Sequence, residues 1–206
     1  MPTYGLIDPD YQTRLRNASG DANGPVYLLS LARFRAGSGQ ILGRGSSHDP
    51  GSRYVSIPLL TAVGGRLCLV ADVVAGWGGW DRVGVMRFPT RQAIMTMNDH
   101  SDMKVWYATK ERRTERVIML GLVPVAGLPV EPSQRVLLEV WHGSTPPPIA
   151  VGPITEFDVE GTFLGDGRQW TGARYTPIEP GTALPLQPAR FAYQALLVEP
   201  IIERCI

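Results

Sequence analysis

The sequence predicts an α+β protein in which a β-α-β-β-α-β unit is followed by a half that contains strands and no helices. Four short apolar runs precede residue 129, and the segments between them carry helical or turn signals. From Val130 onward no stretch has a convincing helical period, and prolines become dense, as in Pro146-Pro147-Pro148. We therefore divide the chain into an N-terminal extension (residues 1–24), an α+β domain (25–129) and a β-rich second half (130–206).

The first strand and the first helix open the α+β domain. Val26–Phe34 is apolar almost throughout, which is typical of a strand buried on both faces. A loop rich in glycine and serine, residues 36–51, follows it. The next segment is predicted to be a helix that ends at Gly64-Gly65 and that Pro58 would kink.

A hairpin, a second helical region and a fourth strand complete the unit. Arg66–Ala75 and Trp80–Phe88 are the predicted hairpin strands, and the glycines between them form the turn. Pro89 is expected at the first position of a helix, where its missing N–H costs nothing. A further helical segment, Met103–Arg113, leads into the last strand, Arg116–Ala126.

The second half offers four further strands. They are predicted at Arg135–His142, Glu156–Leu164, Arg168–Ile178 and Arg190–Val198. Asp166-Gly167 is the residue pair that a type I′ hairpin turn prefers.

The polar–apolar alternation of the second half suggests how it meets the first. Phe157, Val159 and Phe163 alternate with polar residues, which indicates a sheet with one solvent-facing side. A helix-free sheet laid against the first would close a barrel within one chain, as a degenerate repeat of the first half. The alternative is an unrelated small β-domain.

Charge and hydropathy exclude several classes of partner. Of the 206 residues, 44% are hydrophobic, and 20 Lys+Arg stand against 19 Asp+Glu. Nucleic-acid binding needs a surplus of cations, which this chain lacks. No segment is apolar over the ~20 residues of a membrane helix, and residues 1–24 lack the apolar stretch of a secretory signal. We expect a soluble, cytoplasmic protein.

The sequence also predicts that the protein uses no cofactor. The two cysteines, Cys68 and Cys205, and the three histidines have no metal-ligand or redox spacing. Gly76-Trp77-Gly78-Gly79 does not open a helix after a strand, and neither a P-loop nor a G-x-S-x-G motif occurs.

Several of these segments together resemble a known family. The residues that carry the resemblance are Pro25–Phe34, Tyr54 with Pro58, Gly64-Gly65-Arg66, Trp80-Asp81, Arg87-Phe88-Pro89-Thr90-Arg91-Gln92-Ala93 and Met97. Over residues 25–128 the chain resembles the "domain of unknown function 1330" family of the dimeric α/β-barrel superfamily. The chain has Ser30 where that family usually has Asn. The resemblance implies a ferredoxin-like fold, and either a homodimer or, with the second half closing the barrel, a monomer.

The resemblance also implies a pocket between the sheet and the two helices. From that placement we predict three catalytic residues: His48 as a general base, Tyr54 as a proton donor, and Arg87 to bind a carboxylate or enolate oxygen. The predicted ligand contacts are Tyr27, Leu29, Trp77, Met97 and His100.

Each candidate has a structural alternative. His48 can be a solvated loop residue, and Tyr54 can pack its ring into the core. His100 can end a helix, favoured by the C-terminal dipole. Met97 can fill the core, and Asp81 is expected to bond turn amides.

Three classes of function follow from this reading. The first is a small cofactor-independent enzyme that acts by acid–base chemistry on an apolar, oxygenated molecule, as a cyclase or isomerase of secondary metabolism does. The second is a non-catalytic small-molecule-binding protein, and the third is a structural, oligomer-forming protein. The superfamily also contains haem proteins and cofactor-free monooxygenases, which no residue here favours.

Overall fold

The computed structural model describes residues 5–36, 56–76, 78–126, 135–143, 155–179 and 193–200. The strands in these ranges are β1 Leu6–Ile7, β2 Val26–Phe34, β3 Arg66–Gly76, β4 Arg82–Phe88, β5 Thr114–Ala126, β6 Val136–Trp141, β7 Thr155–Gly165, β8 Gly172–Pro177 and β9 Tyr193–Pro200. The helices are α1 Pro9–Asn17, α2 Ile57–Ala62, α3 Arg91–Asp99 and α4 Ser101–Arg113. None of these helices has the length and apolar character required to cross a membrane.

The strands form one curled antiparallel sheet, so the predicted α+β class with a helix-poor second half is confirmed. Their order is β1-β7-β5-β2-β4-β3-β9-β6-β8, and β8 also pairs with β7. Each strand from β2 to β9 therefore has at least two partners, and β7 has three, so the pairings run around a ring of eight strands with β1 added at β7. The first half supplies β5-β2-β4-β3, and the second half supplies the remaining four.

The two faces of the sheet carry separate apolar cores. On β2, Tyr27, Leu29 and Leu31 belong to the core inside the ring, whereas Val26 and Leu28 belong to the core beneath the helices. This division follows the two-residue period of a strand. Both cores are apolar, which explains why β2 has no polar face in the sequence.

The N-terminal extension contains a helix, α1, to which the sequence analysis assigned no element. Asp8 caps it, since its Oδ1 accepts the N–H groups of Asp10 and Tyr11, each at 3.0 Å, and Pro9 occupies the first turn. Tyr11 and Leu15 are buried in the outer core. The extension is therefore part of the folded unit.

Tyr11 docks α1 onto the sheet. A Cβ added at Gly121 would lie 1.8 Å from the Tyr11 hydroxyl oxygen, and one at Gly161 would lie 2.2 Å from the ring. The hydroxyl donates to Glu160 at 2.7 Å, and Arg91 Nε donates to both Glu160 oxygens at 3.1 and 2.9 Å. Burial and the adjacent Glu160 carboxylate raise the pKa of Tyr11 above its ordinary value.

Two predicted proline effects are wrong. Pro58 does not kink α2, because it lies in the first turn, where its missing N–H has no partner to lose. Pro89 precedes α3 without entering it. Thr90 is the N-cap, and its hydroxyl oxygen accepts the Ala93 N–H at 3.1 Å.

Strand β7 departs from the predicted alternation. Its register against β5 shifts at Glu160, between the pairs Val159–Leu122 and Gly161–Gly121. After this irregularity Phe163 packs in the outer core, whereas Phe157 packs in the inner core. The predicted single apolar side of the strand is therefore wrong.

The predicted Asp166-Gly167 hairpin turn is also wrong. Only Gly167 has a positive φ, +87°, whereas a type I′ turn needs positive φ at both central residues. Strand β7 pairs with β8 only through residues 155–158, and its far end pairs with β1. The two strands are therefore not joined by a two-residue loop.

Candidate functional site

The space inside the ring is packed with apolar side chains. The inner core includes the fully or almost fully buried residues Leu29, Leu31, Trp80, Leu120, Leu122, Leu138, Phe157 and Trp170. A cavity lies instead on the outer face, between the sheet and helices α3 and α4. The predicted pocket also lay between the sheet and helices, but α2, the helix that follows β2, contributes no residue to this cavity.

The walls of the cavity are predominantly apolar. The apolar lining residues are Leu28, Met86, Phe88, Ile94, Met97, Met103, Trp106, Met119 and Phe163. About 440 Å³ is free of atoms, part of it open to solvent, and the centre of a water molecule could move through about 30 Å³. That space suits a small molecule or a few waters, and a larger ligand would have to displace side chains.

The periodicity of the strands and of α4 places these side chains on the surfaces that face the cavity. The outward-facing positions of β2 and β4 are two residues apart, as in Leu28 and Ser30. On α4, Met103, Trp106 and Lys110 recur at intervals of three and four residues, which places them on one helix face.

Four of the six methionines of the chain line the cavity. Met97, a predicted ligand contact, is one of these lining residues, and its contact with a ligand stays a prediction. Methionine side chains are flexible and polarizable, so they adapt their packing to an occupant more readily than branched residues do.

Four polar residues interrupt the apolar lining: Ser30, Asn98, Tyr107 and Lys110. Ser30 lies on β2 and is 1% exposed. The Tyr107 hydroxyl donates to Asn98 Oδ1 at 2.9 Å, which links α4 to α3 across the cavity wall. A few polar groups in an otherwise apolar cavity can fix the orientation of a ligand.

Lys110 is the only charged group among the lining residues of this cavity. Its Nζ lies 4.6 Å from the centroid of the Trp106 ring, a cation–π distance. The residue keeps part of its surface accessible, but its ammonium group is enclosed, and burial lowers the pKa of Lys110 to about 8. An amine with this pKa takes up and releases protons near neutral pH.

Three predicted site residues are not in this cavity. Tyr27 and Leu29 pack in the inner core, on the opposite face of the sheet, so their predicted lining of the pocket is wrong. Arg87 shares that inner face, because it lies two residues beyond Val85 of the inner core. Sequence alone could not assign the faces, because β2 is apolar on both.

Arg87 has an unusual neighbour across the strand pair. It pairs directly with Arg66 of β3 and with Tyr27 of β2. Within the described part of the chain, neither guanidinium has a carboxylate within ion-pair distance.

His100 and Asp81 have structural roles. His100 separates α3 from α4 and caps α4, since its Nδ1 accepts the Asp102 N–H at 3.2 Å, and it does not line the cavity. Its predicted ligand contact is thus wrong for this cavity, whereas its role at a helix boundary is confirmed. Asp81 Oδ2 accepts the N–H of Phe34, the last residue of β2, at 2.6 Å, so Asp81 binds a strand amide and not the turn amides that the sequence predicted.

The remaining predicted residues, Tyr54, His48 and Trp77, lie outside the described residues. In the described ranges, no three His, Cys, Asp or Glu side chains are grouped as metal ligands would be.

Lys110 was not among the site residues predicted from the sequence, although lysine is rare in this chain. The chain has 18 arginines and only two lysines, Lys104 and Lys110. Of these two lysines, Lys110 lies on the cavity side of α4, whereas Lys104 is exposed.

Comparisons with known proteins add little to this geometry. No protein-family model matches the chain, and no curated protein matches it. The RPA0582 protein of unknown function from Rhodopseudomonas palustris has a crystal structure that matches with a TM-score of 0.43 and 20% identity, over 60% of this chain and 99% of that one. The methylated form of that protein gives a TM-score of 0.43 and 19% identity, over 60% and 98% of the two chains.

Proposed function

We propose that the protein binds a small apolar molecule with an oxygen function in the outer cavity, and that Lys110 transfers protons to or from it. One observation carries this proposal: the enclosed amine of Lys110 faces a cavity whose other walls are methionine-rich and mainly apolar. We propose an enzyme of the cyclase or isomerase type that works without a cofactor.

The acid–base role rests on the environment of the amine. A general acid–base group works best when its pKa is near the working pH, and burial brings the pKa of Lys110 to about 8. Ser30, Asn98 and Tyr107 add polar groups to the same cavity, where they can orient the oxygen function of a ligand. Lys110 thereby takes the acid–base role that the sequence analysis assigned to His48 and Tyr54.

We also propose that residues 25–128 form a ferredoxin-like domain related to the domain of unknown function 1330 family. The adjacency β5-β2-β4-β3, with helices after β2 and β4, supports this. In this chain two residues of the family pattern serve structure: Asp81 binds a backbone amide and Arg91 binds Glu160.

Non-catalytic binding is the second candidate, and the small free volume favours it. Only about 30 Å³ is open to the centre of a water molecule, so turnover would require side chains to move. Separate measurements of binding and of proton transfer distinguish the two candidates.

Binding is tested by NMR of methionine methyl groups labelled with carbon-13. Titration with 2-butanone or 2-butanol should shift the methyl signals of Met86, Met97, Met103 and Met119, which line the cavity. Met95 is buried in the same helix region but outside the lining, so its signal should stay in place. Shifts confined to Met95, or no shifts at all, would refute the proposed site.

A pair of variants tests the location further. Ile94→Phe should fill part of the cavity and abolish the shifts. Met95→Leu changes a neighbouring buried residue that does not line the cavity, so binding should persist. Binding that survives Ile94→Phe would place the ligand elsewhere.

Proton transfer is tested by the exchange of the α-hydrogens of 2-butanone for deuterium in D₂O. We expect the native protein to accelerate this exchange and Lys110→Met to lose most of the acceleration, because a thioether cannot accept a proton at neutral pH. Lys104→Met is the matched control and should exchange at the native rate. Binding without any accelerated exchange would favour the non-catalytic candidate.

A further inference from the structure

We propose that Lys110 forms an imine with the carbonyl carbon of a small aldehyde or ketone held in the outer cavity. This inference rests on the proposed function and names its substrate class. It assigns Lys110 a covalent role that proton transfer alone does not require.

The geometry of α4 presents the amine to the cavity. Lys110 lies one turn after Trp106, and its Nζ is 4.6 Å from the Trp106 ring centroid. The surrounding side chains are predominantly apolar. Such an environment favours the neutral amine, which is the nucleophile, and limits the water that would hydrolyse an imine.

The choice of lysine at this position supports a role that arginine cannot fill. All the basic residues except Lys104 and Lys110 are arginines, 18 in number. A guanidinium stays protonated in proteins and offers no nucleophilic nitrogen, whereas a buried lysine deprotonates readily.

The covalent step needs no oxidant or reductant. The lone pair of the neutral Nζ attacks the carbonyl carbon, a C–N bond forms, and the carbonyl oxygen takes a proton. The nitrogen loses its first proton to give the neutral carbinolamine, and the hydroxyl oxygen takes a second proton and leaves as water while the nitrogen lone pair forms C=N. The resulting iminium then loses the second nitrogen proton and becomes the imine. The net reaction converts the amine and the carbonyl compound into the imine and water.

The residues that line the cavity include two titratable groups, Lys110 and Tyr107. Tyr107 is the only other titratable group among the lining residues, and its hydroxyl donates to Asn98. With a pKa of about 8, roughly one Lys110 side chain in ten is neutral at pH 7, against fewer than one in a thousand for an ordinary lysine. A measurable fraction of Lys110 is therefore in the neutral, nucleophilic form at neutral pH.

Reductive trapping tests the imine directly. The protein is incubated at pH 7 with 2-butanone and sodium cyanoborohydride, and peptide mapping by mass spectrometry locates any added butyl group. We expect Lys110 to be labelled at least about tenfold faster than Lys104, since the neutral fractions differ by more than that. Equal or slower labelling of Lys110 would overturn the inference.

Two variants and one analogue separate the possible failures. Lys110→Arg keeps the positive charge at this position, and Lys110→Met replaces it with an apolar side chain. Each variant is first shown to unfold cooperatively. In each, the label at residue 110 should be lost while labelling of Lys104 is unaffected. 2-Butanol cannot form an imine, so its effect on the methionine methyl signals reports the cavity alone. Binding of 2-butanol without trapping at Lys110 refutes only the imine, whereas loss of both refutes the proposed function as well.

Discussion

Lys110 holds an ammonium group in a cavity whose walls are mostly apolar, and this placement lowers the free energy of unfolding. The pKa of about 8 in the folded protein lies below the ordinary value of 10.5. The unfolded chain therefore binds more protons than the folded one between these values. The charge weakens the fold at neutral pH, and this penalty is relieved as the pH rises from about 8 to 10.5.

Lys110→Met should consequently stabilise the protein. We expect the free energy of unfolding at pH 7 to rise by about 1–3 kcal/mol, because the desolvated charge is replaced by an apolar side chain of similar length. The gain should shrink steadily above pH 8. Urea unfolding at pH 7 and pH 9.5 measures both effects, and Lys104→Met, at an exposed position, should change stability by less than about 0.5 kcal/mol. If Lys110→Met is less stable than the wild type at pH 7, burial of the Lys110 charge does not destabilise the fold, which contradicts this prediction.

At the scale of secondary-structure elements, α1 depends on two glycines of distant strands. Gly121 of β5 and Gly161 of β7 leave room for the Tyr11 ring, and Glu160 accepts its hydroxyl hydrogen bond. The helix has too little length to be stable alone in water, so this docking contributes to holding it.

Gly161→Ala should therefore destabilise the protein by about 1–3 kcal/mol, because the added methyl group would overlap the Tyr11 ring. In a Tyr11→Ala background the same change should cost much less, since the obstructing ring is gone. Urea unfolding of the wild type, both single variants and the double variant gives the coupling energy. If the two single changes alter the free energy of unfolding additively, the Tyr11 ring does not contact Gly161 as the structure describes.

The local sequence predicted most elements of this fold. The four strands of the second half were expected within a few residues of β6 to β9, because turn residues and apolar runs are local signals. Helix α1 was missed, since its short pattern is polar and its burial depends on residues more than 100 positions away, such as Gly121.

At the scale of the whole molecule, the ring of strand pairings is completed by one chain. Strand β9 bridges β3 and β6, and β7 bridges β5 and β8, so the two halves join at both edges. Among the described strands, the eight strands of the ring all have neighbours on both sides, which leaves few strand edges for a partner.

We therefore expect a monomer in solution. Light scattering coupled to size-exclusion chromatography should give a mass near 22.5 kDa. The mass should not change on dilution, because no intermolecular strand pairing is needed to complete the ring. A stable species of twice this mass would show that a further surface mediates association.

The sequence by itself determined the α+β class, the position of most strands and the helix-poor second half, because these depend on residue periodicity and turn chemistry along the chain. Only the tertiary structure decided which face of β2 meets the helices, since Tyr27 and Leu28 are equally suited to burial. It also decided the candidate site. Lys110 becomes chemically distinctive through desolvation, and desolvation arises only when α4 packs against the sheet.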